Sequence, residues 1–197
     1  MRKWFMMSFI LVMMLSVFNT NVALAAGAEV ATENGTKCVV VTIYVNNAKS
    51  TYDDEITKKM TERFNAKLTK YDVYPGEKYI QKLNKIGVTD ITVAERSDIV
   101  QVFAEDGIDY VVYAEVQPPI FKHWISLFNQ GVAATVTIPV KIIDVKGNRY
   151  LYNGKFTEQA DNSSMLGGVG TKAAVLMAMD KIFVNSDEVL VDRLPLK

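Results

Sequence analysis

Apolar positions along the chain change their spacing from segment to segment, and each spacing implies an element. Lys37–Val45 is a β-branched run, read as a buried first strand. Next, Ile56, Met60, Phe64 and Leu68 recur every fourth residue, with Lys58, Lys59, Glu62 and Arg63 between them. That is the period of a helix with one apolar stripe. Ser50 and Thr51, three residues ahead of Asp53 and Asp54, give it a capping-box-like start. Tyr71–Tyr74 predicts a short strand stopped by Pro75-Gly76. Glu77–Ile86 predicts a second helix that buries Ile80, Leu83 and Ile86 and closes at Gly87. A third helix is predicted from about Ala94 to Asp106, ending at Gly107. Thr92 is its expected cap with Glu95 as partner, and Ile99, Val102 and Phe103 face inward.

The second half reads as sheet. Tyr110–Val116 is almost continuously apolar, as a central strand is. Ala134–Ile142 alternates, with Val136, Ile138, Val140 and Ile142 on one face and Thr135, Thr137 and Lys141 on the other. Pro139 has no amide hydrogen, so this strand is expected at a sheet edge, or with a bulge there. Lys146-Gly147-Asn148 is a tight turn, and Arg149–Gln159 returns with Tyr150, Tyr152 and Phe156 as its apolar side. Leu166–Val184 begins Gly-rich and becomes a helix apolar nearly all round (Ala173, Ala174, Leu176, Met177, Ile182, Phe183). The expected class is α/β (α+β): a single mixed sheet with helices packed on it, in the order β-α-β-α-α-β-β-β-α. One domain spans 37–184, and residues 185–197 are read as a C-terminal tail with one apolar patch, Val189-Leu190-Val191.

The N-terminus sets the compartment. Arg2 and Lys3 precede an apolar run, Trp4–Phe18, broken only by Ser8 and Ser16. Polar Asn19-Thr20-Asn21 and the triplet Ala23-Leu24-Ala25 follow. This charge–apolar–small order is that of a secretory signal peptide, here residues 1–25, cut after Ala25 with Ala28 as the alternative. The run is shorter than the roughly 20 apolar residues of a membrane span. Residues 26–36 are small and polar, a flexible lead-in. Without the signal the chain carries 20 basic and 22 acidic groups, which argues against a nucleic-acid partner. Cys38 is the only cysteine, so no internal disulfide forms, and it is expected buried in the first strand.

Three features carry a resemblance. Glu105-Asp106-Gly107-Ile108-Asp109-Tyr110-Val111-Val112 reads as a helix end, a glycine and a central strand. Val140-Lys141-Ile142-Ile143-Asp144-Val145-Lys146-Gly147-Asn148 reads as a strand–Asp–x–x–Gly hairpin, and the last helix is rich in small residues. In these and in element order the chain resembles, from Cys38 to Val184, a family of exported α/β domains. That family includes the curli-secretion protein CsgG, the penicillin-binding-protein activator LpoB and the N-terminal domain of TolB. The resemblance implies an envelope domain that works by contact with other proteins. Two departures limit it. No cysteine stands at the first mature position, so lipid anchoring does not carry over. The Lys146-Gly147 turn is also too short for a membrane-spanning insertion.

Candidate chemistry is sparse. His123 is the only histidine; a Ser-His-Asp or Cys-His site would have to use it, a zinc site usually needs two or more His or Cys, and it is expected at the surface or partly covered. Asp53-Asp54-Glu55 fits the first turn of a helix, where negative charge complements the dipole. Gly167-Gly168-Val169-Gly170-Thr171-Lys172 looks like a phosphate loop, but Thr171 and Lys172 are swapped relative to that motif. Asp161–Ser164 ahead of it is not expected to be a strand. No cofactor or metal motif stands out, and an enzyme with a dispersed carboxylate site is the rival class.

Pro118–Gly131 is the unusual segment, a connection holding six large apolar groups and one formal charge. Two readings stay open. Phe121, Trp124, Ile125 and Phe128 fold back as a short helix on the sheet, or the segment is an exposed docking element. In the second, Ile120, Phe121, His123, Trp124, Leu127 and Phe128 form the interaction surface. Ile125 and one aromatic are expected buried, with Trp124 partly exposed. An envelope protein is the expected partner, with a membrane surface and self-association as further candidates. A long β-hairpin at this segment would favour a membrane-associating oligomer. The expected role is a non-enzymatic binding or assembly-accessory protein of the cell envelope, periplasmic or at the cell surface.

Overall fold

The structure is a computed structural model, and it describes residues 37–89, 91, 93–165 and 168–195. The signal segment 1–25, the lead-in 26–36 and the expected cap Thr92 lie outside the described residues. The chain runs β1 (Val39–Asn46), α1 (Asp53–Lys67), β2 (Asp72–Pro75), α2 (Glu77–Lys85), α3 (Arg96–Ala104), β3 (Tyr110–Val116), β4 (Ile120–Ile125), β5 (Gln130–Asp144), β6 (Arg149–Ser164) and α4 (Thr171–Arg193). The fold is α+β, with the described helices packed on one mixed sheet. Its order contains one strand more than expected, because β4 stands where a loop or short helix was foreseen.

β1 is parallel to β2 and β3, while β3, β4 and β6 all run antiparallel to β5. β5 is the hub. β6 pairs along its whole length on one side. On the other side β3 takes Val140–Asp144 and β4 takes Gln130–Thr135. The β-branched residues of these strands pack on both faces. Val40, Val112, Ile138 and Ile142 join Ile56, Met60 and Phe64 of α1 and Ile182 and Phe183 of α4 in one core. Val41, Ile43, Val111 and Ile143 join Tyr79, Leu83, Ile99 and Phe103 beneath α2 and α3 in the other. Each fully buried large side chain contributes roughly 1.5–3 kcal/mol of transfer free energy. Phe64 meets Phe183 edge-on at 5.7 Å, and Tyr79 stacks on Phe103 at 4.3 Å.

Local rules explain the element ends. Ser50 donates from its N–H and hydroxyl to Asp53 Oδ1 (2.9 and 2.7 Å), which orders the approach to α1. At α3 the cap is Glu95, in a reciprocal box with Asp98, so Glu95 caps the helix itself. Gly87 and Gly107 follow α2 and α3 at φ +91° and +71°, a conformation glycine adopts without strain.

Three expectations are corrected. The last helix does not stop at Val184: α4 runs to Arg193, and Leu190 and Leu194 are buried in the core. Residues 185–193 are thus helix, held by the stripe Ile182, Ser186, Leu190. β6 continues to Ser164, so Asp161–Ser164 is strand. Pro139 is not on an edge strand, since β5 has neighbours on both sides. Gln117 N–H donates to Thr137 O at 3.0 Å, so Thr137, and Pro139 two residues on, turn their backbone groups toward β3. The β3–β5 ladder ends one residue before, at Ala114↔Val140, and the missing N–H falls in that gap.

β3 and β4 are two halves of one run along β5. Ala114 faces Val140, Gln117 bonds Thr137, yet Ile120 faces Thr135. One extra residue has been taken up at Pro118-Pro119, a bulge between the halves.

Candidate functional site

The far half of this run is a β-hairpin: β4, the four residues Ser126–Asn129, and the start of β5. Ser126 N–H donates to Asn129 O at 2.7 Å, and Asn129 N–H donates to Ser126 Oγ at 3.1 Å. These bonds close the turn without glycine. Leu127 and Phe128 sit at its apex, 94% and 77% exposed. Asn129 Oδ1 is enclosed with no donor among the described residues.

Pairing assigns the remaining side chains to faces, because residues directly opposite share a face. Phe121 faces Ala134, His123 faces Val132 and Ile125 faces Gln130, on the side that α4 covers. Ile120 faces Thr135, Lys122 faces Ala133 and Trp124 faces Gly131, on the other side. Trp124 is half-buried because its indole lies across Gly131, where any Cβ would overlap the ring. Cover from α4 fades toward the tip. Val132 and Ala134 are buried, whereas Ile125 is 85% exposed. β4 is an edge strand, with β5 as its partner among the described residues.

Every residue assigned to the interaction surface is therefore on one hairpin. Ile120, Leu127 and Phe128 are widely exposed, Phe121 and His123 exposed, and Trp124 half-covered as foreseen. The short-helix reading is overturned, since the segment is strand and the apolar groups split between two faces. The expectation that Ile125 and one aromatic are buried also fails: Ile125 lies beyond the reach of α4, Phe121 and Phe128 are exposed, and Trp124 is only half-covered. Met165, 73% exposed, was not foreseen. It follows Ser164, which pairs with Gln130, so it stands at the same end. Its only sequence signal was a large apolar residue beside a polar run.

The hairpin's own charge is basic, and Asp161 of β6, which pairs with Ala133, lies across β5 from Lys122. Between Glu115 and Asp144 the chain has no carboxylate, only Lys122, His123 and Lys141 as titratable groups. Elsewhere the candidate chemistry resolves into structure. Lys172 of the phosphate-loop look-alike is ion-paired to Glu55 of α1, and this bond holds the Glu55 carboxyl below its usual range. Gly167 lies outside the described residues. Cys38 is buried, as expected. Among the described residues no group of three or more His, Cys, Asp or Glu is arranged for a metal, and no helix is long and apolar enough to cross a membrane.

No protein-family model matches the chain, and no curated protein matches it in sequence. Among solved structures it is similar to the hypothetical protein CT253 of Chlamydia trachomatis, at 12% identity over 78% of this chain and 98% of that one, with a TM-score of 0.48. It is similar to lipoprotein GNA1162 of Neisseria meningitidis, at 16% identity over 75% and 99%, with a TM-score of 0.41. It is also similar to the C-terminal domain of LpoB from Escherichia coli, at 14% identity over 65% and 87%, with a TM-score of 0.36. LpoB, named above from the sequence, is thus among the structural likenesses. None of these likenesses assigns a function.

Proposed function

We propose that the protein is an exported, non-enzymatic binding or assembly-accessory protein of the cell envelope, and that the β4–β5 hairpin is its contact element. One observation carries this. Ile125, Leu127 and Phe128 face solvent at the end of a hydrogen-bonded hairpin rather than on a floppy connection. Apolar groups held that way lose little entropy on docking, and a cluster of them marks an interaction site. Export rests on the charge–apolar–small order of residues 2–25. The test is a photo-crosslinking side chain placed at Leu127 and, as control, at exposed Glu105, in cells that make the protein. A discrete adduct from position 127, lost in the Phe128→Ala background and absent from position 105, is the expected result. Equal labelling from both positions would sink the proposal.

A second reading has its own support. The apolar side chains stand on both faces of the hairpin end, and the hairpin itself carries no carboxylate. That suits shallow immersion in an anionic bilayer surface, with Lys122 and His123 at headgroup level. Flotation with vesicles of phosphatidylcholine and phosphatidylglycerol separates the two. Co-flotation abolished by Phe128→Ala favours the membrane, and none favours the protein partner.

A further inference from the structure

We propose a second binding site, independent of the hairpin: the open edge of β1 and the cleft beside it take an extended peptide segment of a partner protein as an added strand. The β1–β2 ladder ends at Thr42↔Pro75, while β1 continues to Asn46. Asp72 N–H donates to Cys38 O, so the even-numbered residues of β1 turn their backbone groups toward the β2 side. Asn47 N–H, on an odd position, accordingly reaches Val116 O of β3. Beyond Pro75, the backbone groups of Tyr44 and Asn46 therefore face a side on which no described strand pairs with them.

The chain leaves this edge by construction. Pro75 cannot donate to the ladder, and Gly76 turns tightly against β1, where a Cβ would come within 2.9 Å of Thr42 O and overlap Ile43. The departing chain becomes α2 and opens a cleft of about 510 Å³ between α1 and α2. That is the volume range of ligand sites. Thr57, Thr61 and Asn65, one stripe of α1, form one wall, and Glu77 and Ile80 of α2 the other. Tyr44 OH donates to Asn65 Oδ1 at 2.9 Å, and burial pushes its phenol pKa up, so the floor is fixed and neutral.

These features select the occupant. An exposed strand edge recognises main chain, and flanking pockets read alternate side chains. Hydroxyls and an amide line the α1 wall, and Glu77 is the one charged side chain lining the cleft. The partner segment is thus extended, carries small polar side chains toward α1, and is uncharged or basic, not acidic.

A random seven-residue peptide library displayed on phage, selected on the purified protein, tests this. Selected peptides are then synthesised. Binding is expected to slow hydrogen exchange at the Tyr44 and Asn46 amides. It should weaken roughly tenfold or more when alternate peptide amides are N-methylated, and equally with Thr61→Arg, which fills the cleft. Phe128→Ala leaves it unchanged, so this site and the hairpin fail or survive separately. Should Thr61→Arg not fold, the N-methylated peptides decide alone. An empty selection, or peptides that bind regardless of N-methylation or protect other amides, would overturn the proposal.

Discussion

The two halves of the long run along β5 share one partner strand and one pairing pattern, yet they differ in everything that packing supplies. Beside β3, Val111, Val112, Ile142 and Ile143 are buried to within 1% of completeness, because helices lie over both faces. Beside β4, the pairing is as regular, but Ile120 and Ile125 are 71% and 85% exposed. Hydrogen-bonded strand is therefore not the same as core. The first half is fixed by burial on two sides. The second is fixed by its ladder, by the Ser126–Asn129 turn and by Trp124 lying on Gly131. What a molecule needs to stay folded and what it holds out for others can thus sit on one strand pair, divided at Pro118-Pro119.

The sharpest way to break this contrast is to truncate the two halves alike. Ile142→Ala should cost about 2–5 kcal/mol in denaturant melts, as for a fully buried isoleucine. A loss near zero would mean the β3 half is not core. Trp124→Ala should fall between the halves, at about 1 kcal/mol, the scale of a cross-strand contact. Trp124 is the only tryptophan after Trp4, so in protein prepared without residues 1–25 its emission reports the hairpin alone. Ile125→Ala, Leu127→Ala and Phe128→Ala should each leave stability within about 0.5 kcal/mol. Their effect belongs in the binding assays. A core-sized loss from all three would make the tip part of the fold and remove it as a docking element.

The smallest effect expected is a difference in acid sensitivity. Lys82, through a 3.0 Å bond, then Tyr79 and, least, Lys78 at 3.5 Å hold the Asp106 carboxyl below its usual range. A lowered folded-state pKa stabilises above the ordinary carboxylate value, about 3.9, and that contribution is lost as pH falls through the lowered one. Stability should thus decline below about pH 4, less steeply in Asp106→Asn. The hairpin has no carboxylate, so Trp124 emission should stay constant until global unfolding. A shift in that emission ahead of unfolding would show the tip to be coupled to the charged surface.

Legibility in the sequence follows the same division. Where one face is buried, the period shows. The fourfold stripe of α1 and the alternation of Val136 to Ile142 both gave their elements correctly. β4 was missed because Ile120-Phe121-Lys122-His123-Trp124-Ile125 does not alternate, and it need not, since neither face is fully covered. Its turn also lacks the Asn-Gly or Asp-Gly signal that marks hairpins. The end of α4 was missed for another reason. Asn185 and Ser186 interrupt the apolar run, yet Ser186 is buried and its hydroxyl bonds back to Phe183 O at 3.3 Å. The spacing Ile182, Ser186, Leu190, Leu194 was there to be found once a serine is allowed in an apolar stripe. The exposed residues of the docking element were visible as composition, whereas their division between two faces needed the register.

The bulge at Pro118-Pro119 acts as a parity switch. On β3 the even-numbered side chains, Val112 and Ala114, point toward α1 and α4, but past the prolines it is the odd ones, Phe121, His123 and Ile125. One inserted residue therefore decides what the hairpin displays on each side. Deleting Pro119 would keep every amino acid of the tip and invert its display, turning Lys122 and Trp124 toward α4 and lifting the indole off Gly131. The orientation in which this surface is offered is thus encoded outside the surface, in the count of residues leading up to it.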